Sequence, residues 1–356
     1  MTFESQGAER KEIAIMRILS DSAEPLGARV IAHHLKGHGI ELGERAVRYH
    51  LKLMDERGLT YLVGKRDGRV LTDKGMTEIK SALVKDKVGF VISRIETLSF
   101  RTSFDCEGRR GFVPVNVSIF PKDKFENALK AMRPAFEEGI CTSDLVAVAS
   151  EGKRLGEITV PPGKIGLATV CSIIFNGVLL KAGVPMDSRF GGILQLRNHK
   201  VVRFSELIDY AGCSLDPSTI FIKARMTSVR GAVNNGDGEV LANFREIPSI
   251  CRPIAEKAIA DLKEAGFRGL VVMGRTSEPV CEIPVGLNKI GMILLGGLNP
   301  VAAAEEAGIT ADNLAMSTVM EYQELVKFQE AVNDYRDLMR FWEVSRQNRV
   351  GNRQTR

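Results

Sequence analysis

Between Glu44 and Gly58 the chain reads ERAVRYHLKLMDERG, and its apolar and charged positions separate at helical spacing. At about 3.6 residues per turn, Val47, Leu51 and Met54 share one side of the predicted helix. Arg45, Arg48, Tyr49 and Lys52 share the other, so three cations and a phenol are offered outward. A helix with this division of faces suits the DNA major groove, although an isolated basic stripe is more often a solvated surface. The flanks decide between the two. Ala8 to Ser22 carries Ile13, Met16, Ile18 and Leu19 at helical spacing, and Leu26 to Lys36 carries Val30, Ile31 and Leu35, with Gly37 and Gly39 as stop signals. After the third helix, Leu59–Val63 and Arg69–Thr72 read as short strands around a glycine-flanked turn that holds Lys65 and Arg66. Helix, helix, basic helix and a hairpin with a cationic tip is the order of a winged helix-turn-helix. The DNA-facing candidates are Arg45, Arg48, Tyr49, Lys52, Lys65, Arg66 and Arg69.

The rest of the chain contains a duplication. Glu157 to Gly166 (EITVPPGKIG) and Glu282 to Gly291 (EIPVGLNKIG) share six of ten residues at an offset of 125. The same offset places Leu145-Val146 on Leu270-Val271 and Ala182-Gly183 on Ala307-Gly308. Each copy predicts a helix (Lys124–Glu138; Ser249–Ala265), an apolar strand (Leu145–Ala149; Gly269–Met273), a turn holding Lys-Ile-Gly, and a small-residue helix. Two copies are too few for a solenoid. The expected fold class is therefore α/β (α+β): an N-terminal winged helix-turn-helix, then an α/β ligand-binding domain of two pseudo-repeated halves. The boundaries expected are 1–84 for the winged helix, 85–330 for the second domain with halves at about 88–200 and 201–320, and 331–356 for a C-terminal helix and basic tail. Ala311 to Val344 is expected to be helical, Phe221-Ile222 to be a strand, and Asn234 to Gly238 to be a hairpin turn.

Composition narrows the function. The 356 residues are 44% hydrophobic and carry a net charge of +5, enough apolar residues for two or three domain cores. Both ends are basic and the centre is slightly acidic, which places a nucleic-acid surface away from the centre. The six cysteines (Cys106, Cys141, Cys171, Cys213, Cys251, Cys281) lie at least 30 residues apart, so no C-x-x-C zinc or redox motif exists. His33, His34, His38 and His50 crowd the first domain without a completing Cys or carboxylate pattern. They read as polar surface or DNA-facing groups, and no metal is expected. The start of the chain is no signal peptide, and the longest apolar run, Ile165–Leu180, is broken by Gly, Thr, Ser and Asn. A cytoplasmic protein with reduced thiols is expected.

A cleft between duplicated halves is a natural small-molecule site. Lys164, Gly166, Thr169, Cys171 and Ser172 are read as preceding and opening a helix, where a cation, backbone N–H groups and hydroxyls could meet a carboxylate. Asn176 follows four residues after Ser172 on the same face. In the second copy Gly296-Gly297 replaces Cys171-Ser172. The alternative is that Lys-Ile-Gly is only a repeated turn and Cys171 a small buried hydrophobe. As a nucleophile Cys171 would need a base, and His199 is the only histidine outside the first domain. No enzyme is expected.

The chain resembles the NrpR family, archaeal repressors of nitrogen assimilation, over essentially residues 10–330. The resemblance rests on Glu44 to Leu51 (ERAVRYHL), Thr169 to Ser172 (TVCS), Phe190 to Ile193 (FGGI) and Leu241 to Pro248 (LANFREIP). It implies a dimeric repressor that binds inverted-repeat operators of nitrogen-fixation and ammonia-assimilation operons, released by 2-oxoglutarate. It further implies no cofactor beyond that effector, no membrane, and a possible second NrpR-type subunit lacking the DNA-binding domain. Two carboxylates need two cationic or N–H-rich clamps. Beside Lys164, Gly166, Thr169, Cys171, Ser172 and Asn176, the candidates are Arg189 and, more weakly, Arg225, Thr227 and Ser228. Two alternatives stay open: a winged-helix repressor answering to another small anionic metabolite, and a bifunctional enzyme and repressor.

Overall fold

In a computed structural model, residues 3–20, 22, 24–37, 40–64, 68–81 and 88–335 are described. They fall into two compact units, one within 1–97 and 210–215, the other within 98–209 and 216–356.

The first unit begins with Phe3–Ser20 (α1), Ala28–Gly37 (α2) and Glu44–Glu56 (α3). Ile15, Met16, Ile31, Leu35, Val47, Leu51 and Met54 are buried together, so each helix contributes an apolar stripe, although Val30, expected in the stripe of α2, is exposed. The wing pairs Thr60–Leu62 (β1) antiparallel with Arg69–Leu71 (β2). Leu26 adds a third rung through hydrogen bonds in both directions with Arg69. Gly68 (φ 99) is required at this corner, because a Cβ there would meet the Leu26 carbonyl carbon at 2.5 Å. Asp73–Ser81 (α4) follows the wing, and Phe90–Arg101 (α5) holds the boundary between the units. The winged helix-turn-helix is thus present in the expected order. The wing-tip cations Lys65 and Arg66, His38 and residues 336–356 lie outside the described residues.

The second unit is built on two five-stranded antiparallel sheets. Its first repeat runs Phe112–Pro121 (β3), Phe125–Glu137 (α6), Leu145–Ser150 (β4), a small hairpin of Arg154–Leu155 (β5) and Ile158–Thr159 (β6), Lys164–Val170 (β7), Ile173–Lys181 (α7) and Asp187–Arg197 (β8). Lys200–Asp209 (β9), Pro217–Lys223 (α8) and Val229–Asn235 (α9) intervene. The second repeat runs Gly238–Pro248 (β10), Arg252–Glu264 (α10), Leu270–Thr276 (β11), Lys289–Leu295 (β12), Asn299–Glu306 (α11) and Asp312–Glu321 (β13), before the short Val326–Lys327 (β14). Each repeat keeps three strands in its own sheet and gives its fourth to the other. The sheets are ordered β13-β3-β7-β4-β14 and β11-β12-β10-β8-β9. Lys164 faces Asp312 at 4.0 Å and its counterpart Lys289 reaches Asp187 at 3.0 Å. Each repeated lysine therefore meets the aspartate that opens the exchanged strand.

Several local expectations are corrected. Lys-Ile-Gly is no turn before a helix but the start of β7 and β12. Both strands are buried on both faces, so their apolar run lacks the alternation of a half-exposed strand. The repeated glycine allows close packing: a Cβ on Gly166 would meet Leu155 and Val160 at 2.8 Å, and one on Gly291 would meet Phe244 at 2.8 Å. Phe221-Ile222 lies in α8, capped by Asp216, whose carboxylate accepts the Thr219 N–H at 3.1 Å, with Pro217 in the first turn. Asn234 to Gly238 is the end of α9, terminated by Gly236 at φ 75, and not a hairpin. The expected helix from Ala311 is instead β13, a 3-10 turn at Tyr322–Glu324 and β14, with α-helix only over 328–335 among the described residues of this stretch. A bulge around Met316 (φ 50) breaks the strand alternation there. Among the described residues, no helix is long and apolar enough to cross a membrane.

Candidate DNA interface and regulatory site

On α3 the two faces are those of the sequence pattern. Val47, Leu51 and Met54 are buried, while Arg45, Arg48, Tyr49 and Lys52 are exposed. Two of the cations carry resident carboxylates: Arg48 pairs with Glu44, and Lys52 lies 3.8 Å from Glu56. At 69% and 75% side-chain exposure these cations sit in water, where such i,i+4 pairs contribute only about 0.3–0.5 kcal/mol. Phosphate or a base edge can displace them at little cost. His50 departs from the expected solvent-facing role. It is buried, with Nδ1 3.8 Å from Glu12. Glu12 is itself buried and accepts from Arg57 at 2.5 Å, which ties α1 to the end of α3. Arg69 is also engaged: its Nε donates to Asp55 Oδ2 at 2.7 Å, so its side chain braces the wing against α3.

In the second unit, polar side chains converge where β7 ends against β10. Ser172 precedes α7, and its hydroxyl accepts from Asn243 Nδ2 at 3.0 Å. Asn176, one turn on, donates from Nδ2 to Ser188 Oγ at 3.0 Å. Thr169 accepts from Asn116 at 3.5 Å, and Asn116 Oδ1 accepts the Met316 N–H at 2.9 Å. Asn116 and Asn243 occupy matching positions of β3 and β10, facing Thr169 and Leu294 in matching registers. Arg245 follows Asn243 on the same face of β10 and lies opposite Ser188 in the β8 ladder. It is only 1% exposed. Asp216, Arg245 and Cys171 act on one another electrostatically. Burial pushes the Cys171 thiol up to about 12, with the Asp216 charge adding to it against the N–H of Ile173, Arg245 and Ser172. Burial likewise raises Asp216 above the usual carboxylate range, against its hydrogen bonds from Thr219 and Ser218. A thiol so far from ionising is no ready nucleophile.

Of the expected ligand residues, the fold brings together Thr169, Cys171, Ser172 and Asn176. Lys164 and Gly166 are elsewhere: at roughly 3.3 Å per residue, Lys164 lies about 20 Å from the end of its own strand, and Gly166 is packed over by Leu155 and Val160. Arg189 sits at a bulge in β8 and donates to Glu246 at 3.1 Å. Glu246 also accepts from Gly286 N–H and Lys289, at 2.9 and 3.0 Å. Burial works to raise its pKa, but these donors outweigh it and the net shift is downward. Ser228 is bound through its N–H to Glu239 O at 2.8 Å, six residues and roughly 20 Å along β10 from Arg245. Arg225 is exposed with φ 56, and Thr227 lies between them. Asn116, Asn243 and Arg245 were not among the expected site residues. Polar side chains at alternate positions of otherwise apolar strands were the signal for them.

Residues 88–327 match the family model described as NrpR regulatory domains NRD1 and 2. A global nitrogen regulator NrpRI from Methanosarcina mazei is 44% identical over 315 residues, covering 88% of this chain and 97% of that protein. The chain belongs to the NrpR family of global nitrogen regulators. NrpR proteins of Methanococcus maripaludis and Methanocaldococcus jannaschii are 32% and 33% identical over 89% and 92% of the chain. The chain spans only 55% and 56% of their lengths. Residues 13–79 match the winged-helix domain of ribonuclease R, consistent with the fold of the NrpR N-terminal unit described above. A crystal structure of a nitrogen repressor-like protein from Methanococcus jannaschii is similar at 25% identity and a TM-score of 0.56, covering 67% of this chain and 98% of that one.

Proposed function

We propose that this NrpR protein is a DNA-binding repressor of nitrogen-assimilation and nitrogen-fixation genes, released by 2-oxoglutarate. The observation that carries the reading is the solvated cationic face of α3, in a winged helix joined to an NrpR regulatory domain. Arg45, Arg48, Tyr49 and Lys52 enter the major groove, and Lys65 and Arg66 at the wing tip meet the phosphate backbone. The protein acts as a dimer on an inverted repeat, alone or with a second NrpR-type subunit that lacks a winged helix. Its half-sites lie one helical turn, or a multiple of it, apart. 2-Oxoglutarate binds near Thr169, Cys171, Ser172 and Asn176 and favours a state in which the two recognition helices no longer fit both half-sites. A coupling of about 1–3 kcal/mol lowers affinity roughly 5–150-fold.

The test is fluorescence anisotropy on labelled inverted-repeat DNA from upstream of the host's nitrogen-assimilation genes, at fixed salt, with glutamate as control. Binding by the full chain, release by 2-oxoglutarate alone, and loss of binding in Arg48→Ala with effector affinity intact are expected. Tight operator binding by Arg48→Ala would overturn the assignment of α3. Release by a different anion would replace the effector while leaving the repressor reading in place.

A further inference from the structure

The convergence around Arg245 points to a ligand anchor. Arg245 is the largest fully buried side chain among the described residues. Asn243 lies two residues before it on the same face of β10, and Ser188 is its direct cross-strand neighbour on β8. Asn243 is tied to Ser172, which opens the nine-residue helix α7, and Ser188 is tied to Asn176 in that helix. A guanidinium and the positive end of a helix therefore lie in one buried cluster of hydroxyls and amides, a combination suited to an anion.

An independent observation points the same way. Asn176 is only 4% exposed, and its Oδ1 has no hydrogen-bond partner. An orphaned buried acceptor costs roughly 1–3 kcal/mol, and such a cost is retained where something else binds. Turning the amide over moves the vacancy from acceptor to donor: Ser188 Oγ–H then donates to Oδ1, and Nδ2 is left to donate to an incoming oxygen.

The duplication supplies an internal comparison. In the first repeat, Ser118 on β3 stands where Arg245 stands on β10, two residues after the matched Asn116. On the matching helices, Val301 stands where Asn176 stands. The cation and the amide were kept on one side of the pseudo-dyad only, which fits a single asymmetric ligand per chain.

We propose that Arg245 anchors a carboxylate of a small anionic effector, with Ser172, Asn176, Ser188 and Asn243 around it. The inference rests on the reading that this domain binds such an effector.

The test is calorimetric titration of the full chain with 2-oxoglutarate, succinate, glutamate and pyruvate, in wild type, Arg245→Lys and Asn176→Ala. The expected result is one 2-oxoglutarate per chain, weakened at least tenfold by Arg245→Lys, because the point-charge ammonium cannot hold a carboxylate with a fork of donors. Asn176→Ala weakens it several-fold. Wild-type affinity in a folded Arg245→Lys overturns the proposal while the 2-oxoglutarate reading stands. Arg245-dependent binding of another of these acids, without 2-oxoglutarate, sinks that effector and sustains the anchor. No binding of any of the four sinks both.

Discussion

Gly297→Ala tests how tightly the two repeats are locked at the end of β7. Gly297 shows no left-handed φ, so alanine brings no backbone strain, and its whole effect comes from contact. A Cβ there would lie 2.0 Å from the Val170 carbonyl oxygen and 2.9 Å from Asn116 Nδ2. A carbon needs roughly 3.2 Å from a carbonyl oxygen, so one backbone has to retreat by about 1 Å. Neither is free to do so. Val170 is paired with Val115, the next residue donates its N–H to Pro114 O at 2.9 Å, and Gly296 N–H is bound to Leu241 O at 2.8 Å. Overpacking typically costs about 1–3 kcal/mol, and contact with fixed backbone places this case near 3 kcal/mol. A single unfolding free energy is poorly defined for a two-unit chain, so native-state hydrogen exchange is the suitable assay. Protection of the Cys171 and Gly296 amides should fall by roughly 150-fold at about 1.4 kcal/mol per decade. Gly139→Ala provides the scale: its φ of 68 carries a backbone penalty, but a Cβ there meets nothing within 4 Å. That change should cost only about 1–2 kcal/mol. Less than fivefold loss of protection in Gly297→Ala would mean that the close approach is not a constraint in solution.

Three further outcomes are expected. Arg69→Ala should destabilise the winged helix by about 1–2 kcal/mol through loss of its bond to Asp55, read by thermal melting. The salt slope of DNA binding should be unchanged, whereas a phosphate-contacting Arg69 would reduce it by about one. Cys171 should resist iodoacetamide in the folded protein at pH 8, because burial pushes its thiol up to about 12; rapid labelling monitored by peptide mass would refute this. Glu246 has a folded-state pKa below its ordinary value. Its ionisation therefore stabilises the fold above the usual carboxylate range, and that contribution is lost as pH falls through the lowered value. Glu246→Gln should flatten the acid side of the stability profile, and an unchanged acid limb would show that its bonds to Gly286, Lys289 and Arg189 contribute nothing net.

The winged helix was legible because its information is local. Helical periodicity names the buried and exposed faces of α3, and glycines bound the wing. What periodicity cannot show is engagement across elements. Arg69 looks like one more wing cation until Asp55, fourteen residues earlier, is found beside it. Likewise, His50 looks polar until Glu12 closes over it. The duplication was visible as identity, yet its elements were misassigned for a physical reason. Strands covered on both faces have no alternation, and β7 and β12 read as turn and helix. That error carried into the site. Treated as a helix, Lys164 to Ser172 spans about 12 Å at 1.5 Å per residue; as a strand and its end, it spans roughly 25 Å. Thr169, Ser172 and Asn176 stay near one another because they lie at or beyond the strand's end. Arg245 was missed because sequence order puts it in a strand of the other repeat.

Strand exchange was the least legible feature and the one that most constrains mechanism. Strand β8 of the first repeat pairs with β10 of the second from Asp187 to Leu196, and β13 returns the exchange along β3 from Asp312 to Glu321. Opening a cleft between the repeats like a hinge would break both ladders, and many buried backbone hydrogen bonds with them. The proposed release from DNA would therefore have to spare the ladders and use elements outside them. Around Arg245 those elements are the first turn of α7, which holds Ser172 and Asn176, and the 210–228 insertion, which holds Asp216. Only the second is joined at once along the chain to Tyr210–Leu215 in the winged-helix unit. On this argument the duplicated sheets are the rigid frame, and the insertion between the repeats, which has no counterpart within either one, is the part free to carry the signal.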